Sequence, residues 1–138
     1  MGGKRIDQLT VGETATFSKT IGESDVYLFA GITGDFNPAH IDQVASEKTF
    51  FKGRIAHGML SAGLISAVIG MRLPGPGSIY LSQTLFFKAP VRIGDTVTAK
   101  AEVIEILAEK NRVRIATTCA LQDGKIVLEG EAMVMPPK

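Results

Sequence analysis

The sequence predicts an α+β fold in which a sheet of about five antiparallel strands curls around one long apolar helix. Residues 55–73 are almost uniformly small or apolar, whereas residues 79–134 switch to an alternation of apolar and polar positions with a period of two. Alternation buries one face of a sheet, and a helix that is apolar nearly all round has to be enclosed by other elements. Short, turn-rich separators at 92–95, 109–111 and 122–125 then make successive strands antiparallel neighbours in a meander.

The elements follow in order. Residues 8–20 alternate weakly through Val11, Thr14, Thr16 and Ser18, predicting a first strand after an initial turn. Ser24 reads as the N-cap of a short helix with Asp25 in its first turn and Tyr27, Leu28 and Ile32 on one face, stopping before Gly34. A loop follows, then one or two helical turns between Asp42 and Phe50, with Gly53 marking the break before the central helix. The run Leu73-Pro74-Gly75-Pro76-Gly77 ends that helix. Four strands are predicted beyond it, carried by Ile79, Leu81, Leu85 and Phe87; by Val97, Ala99, Ala101 and Val103; by Val113, Ile115, Thr117, Cys119 and Leu121; and by residues 126–134. Neither a repeat nor a linker divides the chain, so residues 1–138 are read as one domain.

Bulk properties narrow the function. The chain has 138 residues, of which 45% are hydrophobic and 21% charged, enough for a core of ordinary size. Fifteen basic against fourteen acidic residues leave a net charge of +1, so there is no basic field to hold nucleic acid. The lone cysteine, Cys119, rules out an intrachain disulfide, fits a reducing cytoplasm and is read as a buried packing residue. Met1-Gly2-Gly3-Lys4-Arg5 leads into no apolar signal core, and Ile6 stands where a myristoylation pattern wants Ser or Thr. His57, Ser61, Ser66 and several glycines interrupt the apolar segment 55–73, which makes it a soluble helix rather than a membrane span.

The chemistry concentrates in Gly34-Asp35-Phe36-Asn37-Pro38-Ala39-His40-Ile41-Asp42. On a continuous helix Asp35 and His40 would diverge by roughly 140°. Pro38 prevents that helix, and a bend at Asn37-Pro38 can bring carboxylate and imidazole to one point, where an acid and a base form a proton-transfer device. Ala56-His57-Gly58 opens the central helix, whose unpaired N–H groups can face a developing anion. Plainer readings stand beside these. Asp-x-Asn-Pro also makes an ordinary turn, His40 also fits a structural imidazole, and the backbone at His57 matters more than its ring. Asp35, His40, Asp42 and His57 could be assembled into a metal site, but their spacing matches no metal motif. Lys48, Lys52 and Arg54 form either a solvated face or a phosphate contact.

With Gly34-Asp35-Phe36-Asn37-Pro38-Ala39-His40 and Asp42, then Ile55-Ala56-His57-Gly58-Met59, then Pro90-Val91-Arg92-Ile93-Gly94-Asp95, the chain resembles the MaoC-like hydratases of the hotdog fold, particularly the (R)-specific enoyl-thioester hydratases. Ala39 departs from the pattern, since many members place a branched aliphatic residue before the histidine. The resemblance implies a helix wrapped by a five-stranded sheet, a homodimer, and reversible syn hydration of trans-2-enoyl-CoA to (R)-3-hydroxyacyl-CoA. It also implies that Asp35 and His40 are the catalytic pair, that the Gly58 N–H holds the thioester oxygen beside Ala56 and His57, that Asn37 orients the loop and that Ser66 supports the acidic side. No metal or redox cofactor is expected, because the thioester already acidifies its α-carbon and CoA is part of the substrate. A 3-hydroxyacyl-carrier-protein dehydratase and a non-catalytic acyl-thioester-binding subunit are the alternatives.

Overall fold

The computed structural model describes residues 2–138; Met1, the first residue of the N-terminal run that leads into no signal core, lies outside them. Strand β1 (Thr14–Thr20) leads into helix α1 (Glu23–Thr33), the short helices α2 (Pro38–Ile41) and α3 (Gln43–Glu47), and the central helix α4 (Gly58–Met71). Strands β2 (Ile79–Gln83), β3 (Phe86–Phe87), β4 (Thr96–Leu107), β5 (Arg112–Ala120) and β6 (Ile126–Met135) complete the chain. All pairings are antiparallel, in the order β1-β4-β5-β6-β2, with β3 also on β6.

The core forms where alternation meets the helix. Val113, Ile115, Thr117 and Cys119 of β5 face inward, flanked in register by Ala99 and Ala101 of β4 and Ala132 of β6. Those small side chains make room for Leu64, Ile65, Val68 and Ile69 of α4, each large aliphatic contributing about 2 kcal/mol by leaving water. This is the helix-wrapped α+β arrangement expected for a hotdog fold. Cys119 is fully buried, and burial pushes its thiol up to about 12, as a packing residue requires. Among the described residues, no helix is long and apolar enough to cross a membrane.

The structure corrects four expectations. The sheet has six strands, because the run 79–87 breaks into β2 and β3 where the Thr84 carbonyl crosses Gly130. A Cβ on Gly130 would lie only 1.9 Å from that oxygen, so the crossing requires glycine. Helix α1 is capped by Gly22, not Ser24, since the Asp25 carboxylate reaches back to accept the Gly22 N–H at 2.8 Å. Pro38 starts a helical turn as its first residue, with Asn37 as the cap. Finally, α4 is not enclosed: Met59, Gly63, Ser66 and Gly70 form an exposed strip along one face.

Candidate active site

Two segments far apart in sequence build the site. Helix α1 ends on Gly34, whose φ of 83° costs glycine nothing, and its N–H donates to the Ala30 carbonyl at 2.8 Å. The chain then turns through local bonds. Asp35 N–H donates to Thr33 Oγ1 (3.2 Å), Asn37 N–H to Asp35 Oδ1 (3.2 Å), and Ala39 N–H to Asn37 Oδ1 (3.0 Å). These bonds wind α2 so that His40 points inward, with only 9% exposed, while Asp35 stays open to water.

The second segment is the mouth of α4. Ile55 N–H donates to the Ala39 carbonyl (3.1 Å) and Ala56 N–H to the Val91 carbonyl (2.7 Å), fixing this strip between the loop and the link before β4. His40 Nδ1 lies 2.7 Å from the Ile55 carbonyl. A carbonyl only accepts, so Nδ1 carries a proton, and in the neutral ring Nε2 is then the nitrogen with the lone pair. His57 precedes α4, 2% exposed, with Nε2 donating to the Asp35 carbonyl at 2.9 Å. Its ring stacks on His40, with centroids 3.9 Å apart, and lies 4.7 Å from Phe29.

A carboxylate oxygen of Asp35 and one ring nitrogen each of His40 and His57 all lie within 4.8 Å of one another. Two acceptors each about 2.8 Å from one water oxygen, at a tetrahedral angle, are about 4.6 Å apart, so one water can span a pair of this size. Beside them, the Gly58 and Met59 N–H groups at the start of α4 have no partner among the described residues. A cavity of about 560 Å³ opens at this mouth, lined by Ile55, Ala56, Gly58, Met59, Phe51 and Phe87 among others. Gly58 is under the Phe87 ring: a Cβ there would meet a ring carbon at 2.6 Å.

The fold therefore gathers Asp35, His40 and His57, with Ala56 and Gly58 flanking His57 in the chain and lining the cavity, and Asn37 capping the turn. It does not bring Ser66 to them. Ser66 lies eight residues beyond Gly58, about 12 Å along the axis, on the exposed strip. Asp42 is spent capping α3, accepting the Ala45 N–H at 2.9 Å, so any shared cation would have only Asp35, His40 and His57. Arg54 is occupied as well, bonded to Glu23 (2.8 Å), Tyr27 (2.7 Å) and Gln43 (3.1 Å); hydrogen bonds from Tyr27 and Arg54 hold the Glu23 carboxyl below its usual range. The sequence reading missed the Ile55 carbonyl, the Phe29 ring and the cover that Phe87 provides. Phe87 was legible only as one more apolar position in an alternating run.

The family description "MaoC like domain" matches residues 7–124. The chain belongs to this family. An (R)-specific enoyl-CoA hydratase from Rhodospirillum rubrum is 58% identical over 131 residues, covering 95% of this chain and 90% of the relative. A 3-hydroxybutyryl-CoA dehydratase from Methylorubrum extorquens is 54% identical, covering 96% of this chain and 83% of the relative. Among solved structures, an R-hydratase from Pseudomonas aeruginosa superposes with a TM-score of 0.94 at 50% identity, covering 99% of this chain and 87% of that one. MaoC-like relatives of this kind are hydratases and dehydratases, and so hydro-lyases.

Proposed function

We propose that the chain is an (R)-specific enoyl-CoA hydratase, adding water reversibly and syn across trans-2-enoyl-CoA to give (R)-3-hydroxyacyl-CoA. The observation that carries this reading is a carboxylate oxygen of Asp35 and a ring nitrogen of His40 lying within 4.8 Å of each other and of His57, whose chain neighbour Gly58 has an N–H without a partner among the described residues. Both groups accept hydrogen bonds, so a water held between them donates both protons and presents an oxygen lone pair. That oxygen bonds to the β-carbon as a proton leaves it for the pair, with the carboxylate as the favoured base. The alkene electrons move onto the thioester oxygen, against the Gly58 N–H, a contact worth about 3 kcal/mol in such sites. A proton from the pair then reaches the α-carbon. Nothing in this balance calls for a metal or redox cofactor. Two relatives above 50% identity carry names with CoA thioesters, which favours CoA over carrier-protein substrates.

The working unit in this proposal is a homodimer in the reducing cytoplasm. The exposed strip of α4 and the β2–β3 edge, where Ile79, Leu81, Phe86 and Phe87 are exposed, form an apolar surface of the kind a second copy would cover. Loss of enoyl absorbance with crotonyl-CoA, followed by oxidation of the product with R- and S-specific dehydrogenases, tests the reaction. An S product or no turnover overturns it. Faster turnover of a carrier-protein thioester would favour the dehydratase alternative, and an inactive purified dimer the non-catalytic one.

A further inference from the structure

The His57 ring is an odd choice for a position so closed. It is 2% exposed, its Nδ1 is buried with no hydrogen-bond partner among the described residues, and a purely apolar ring would fill the same space without orphaning a nitrogen. What imidazole alone supplies here is a flat face and one aimed donor. The face lies on His40, 3.9 Å between centroids with a 30° tilt, and is backed by Phe29. The donor, Nε2–H, holds the carbonyl of Asp35 at 2.9 Å.

We propose that His57 is a positioning residue whose ring ties the Asp35 backbone to the mouth of α4 and clamps the His40 imidazole, so that base, imidazole and Gly58 N–H move as one unit. The inference rests on the reaction proposed above. Without the tie, the only bonds among the described residues that fix the Asp35 backbone and carboxylate are local ones, from its N–H to Thr33 and to its carboxylate from Asn37. Every residue from Gly31 to Pro38 is exposed, so packing does not replace them. His57 sits directly before Gly58, so the tie sets the distance between the water held by Asp35 and the oxyanion donor. Misplacement by an ångström at a reacting pair costs on the order of 100-fold.

The test is a substitution series assayed on crotonyl-CoA, with thermal melting as the fold control. His57→Phe keeps the ring and removes the donor; His57→Gln places an amide N–H near the Nε2 position; His57→Asn places its amide near Nδ1, out of reach. The Phe variant should lose about 30- to 100-fold in kcat with KM within about twofold, and the Gln variant should recover to within about fivefold of the parent. A Phe variant with kcat within about threefold of the parent overturns the inference, as does a Gln variant that falls as far as Phe. If Phe does not fold, Gln against Asn decides: a gap of about tenfold in favour of Gln supports the tie, and equal rates overturn it. Asp35→Asn is run alongside. If it retains turnover, the reaction reading itself falls; if it is dead while the His57 series is flat, only this inference falls.

Discussion

The loop at residues 34–42 stands largely in water, whereas the α4 mouth at residues 55–61 buries Ala56, His57 and Ser61, and each supplies half of the site. The loop keeps its shape through side chains bonding backbone two residues away, as Asp35 and Asn37 both do. The mouth is held by partners distant in sequence: Val91 for Ala56, Asp35 for His57, Phe87 over Gly58. Local bonds to solvated groups contribute little to global stability, while buried contacts contribute most of it. Substitutions in the loop should therefore remove chemistry and spare the fold, and those in the mouth should damage both.

Asp35→Asn is the strongest way to break that contrast. The amide oxygen can still accept the Asn37 N–H, so the turn survives, but the base is gone. Hydration should fall by about 10³-fold or more, with the melting temperature within about 2 °C of the parent. A stopped assay on crotonyl-CoA together with calorimetry reads both. A large drop in melting temperature would mean that the loop carries the fold after all.

Gly58→Ala strikes the opposite side. Its new Cβ would meet the Phe87 ring, the half-exposed end of a side chain that can swing aside, so a stability loss of about 1 kcal/mol or less should accompany a loss of activity of about 10-fold or more. The double variant Gly58→Ala/Phe87→Ala sharpens the point. Removing the ring should restore melting to near the Phe87→Ala level, and if activity stays low, the methyl group blocks the approach of the thioester oxygen rather than merely disturbing packing. Full recovery of rate would show that the glycine serves packing alone.

The same division explains what could be read from the sequence. Strands β4, β5 and β6 were legible because a period of two needs no knowledge of the partner strand, and the burial along β5 follows it residue by residue. The split between β2 and β3 was not legible, since it depends on Gly130 admitting the Thr84 carbonyl from across the sheet. The open strip of α4 was hidden for a related reason: Met59, Gly63 and Gly70 look like core residues, and only the three-dimensional path of the sheet leaves them uncovered. In the site, the Asp35 turn could be argued from five consecutive residues. The tautomer of His40 could not, because it is set by the Ile55 carbonyl fifteen positions away. Ser66 was carried by resemblance and sits on the exposed strip, where nothing local would have placed it.

Asn37→Ala gives the smallest effect and the finest test of how local the loop is. Its side chain caps α2 by accepting the Ala39 N–H at 3.0 Å, and loss of an N-cap costs about 1 kcal/mol in a longer helix. In a helix of only four residues, about one turn, the cost to the whole chain should be smaller, a shift of about 3 °C or less. The effect on rate should be larger than that figure suggests, about 10-fold, because the cap sets the angle at which His40 enters beneath the loop. Asn37→Asp and Asn37→Ser can both supply the acceptor and should recover the melting temperature. Aspartate also adds a second charge beside Asp35, so its kcat should stay below that of the serine variant, more so at low salt than at high. If aspartate and serine instead gave equal rates at every ionic strength, the loop would be insensitive to charge next to its base, and the electrostatic part of the contrast would be lost.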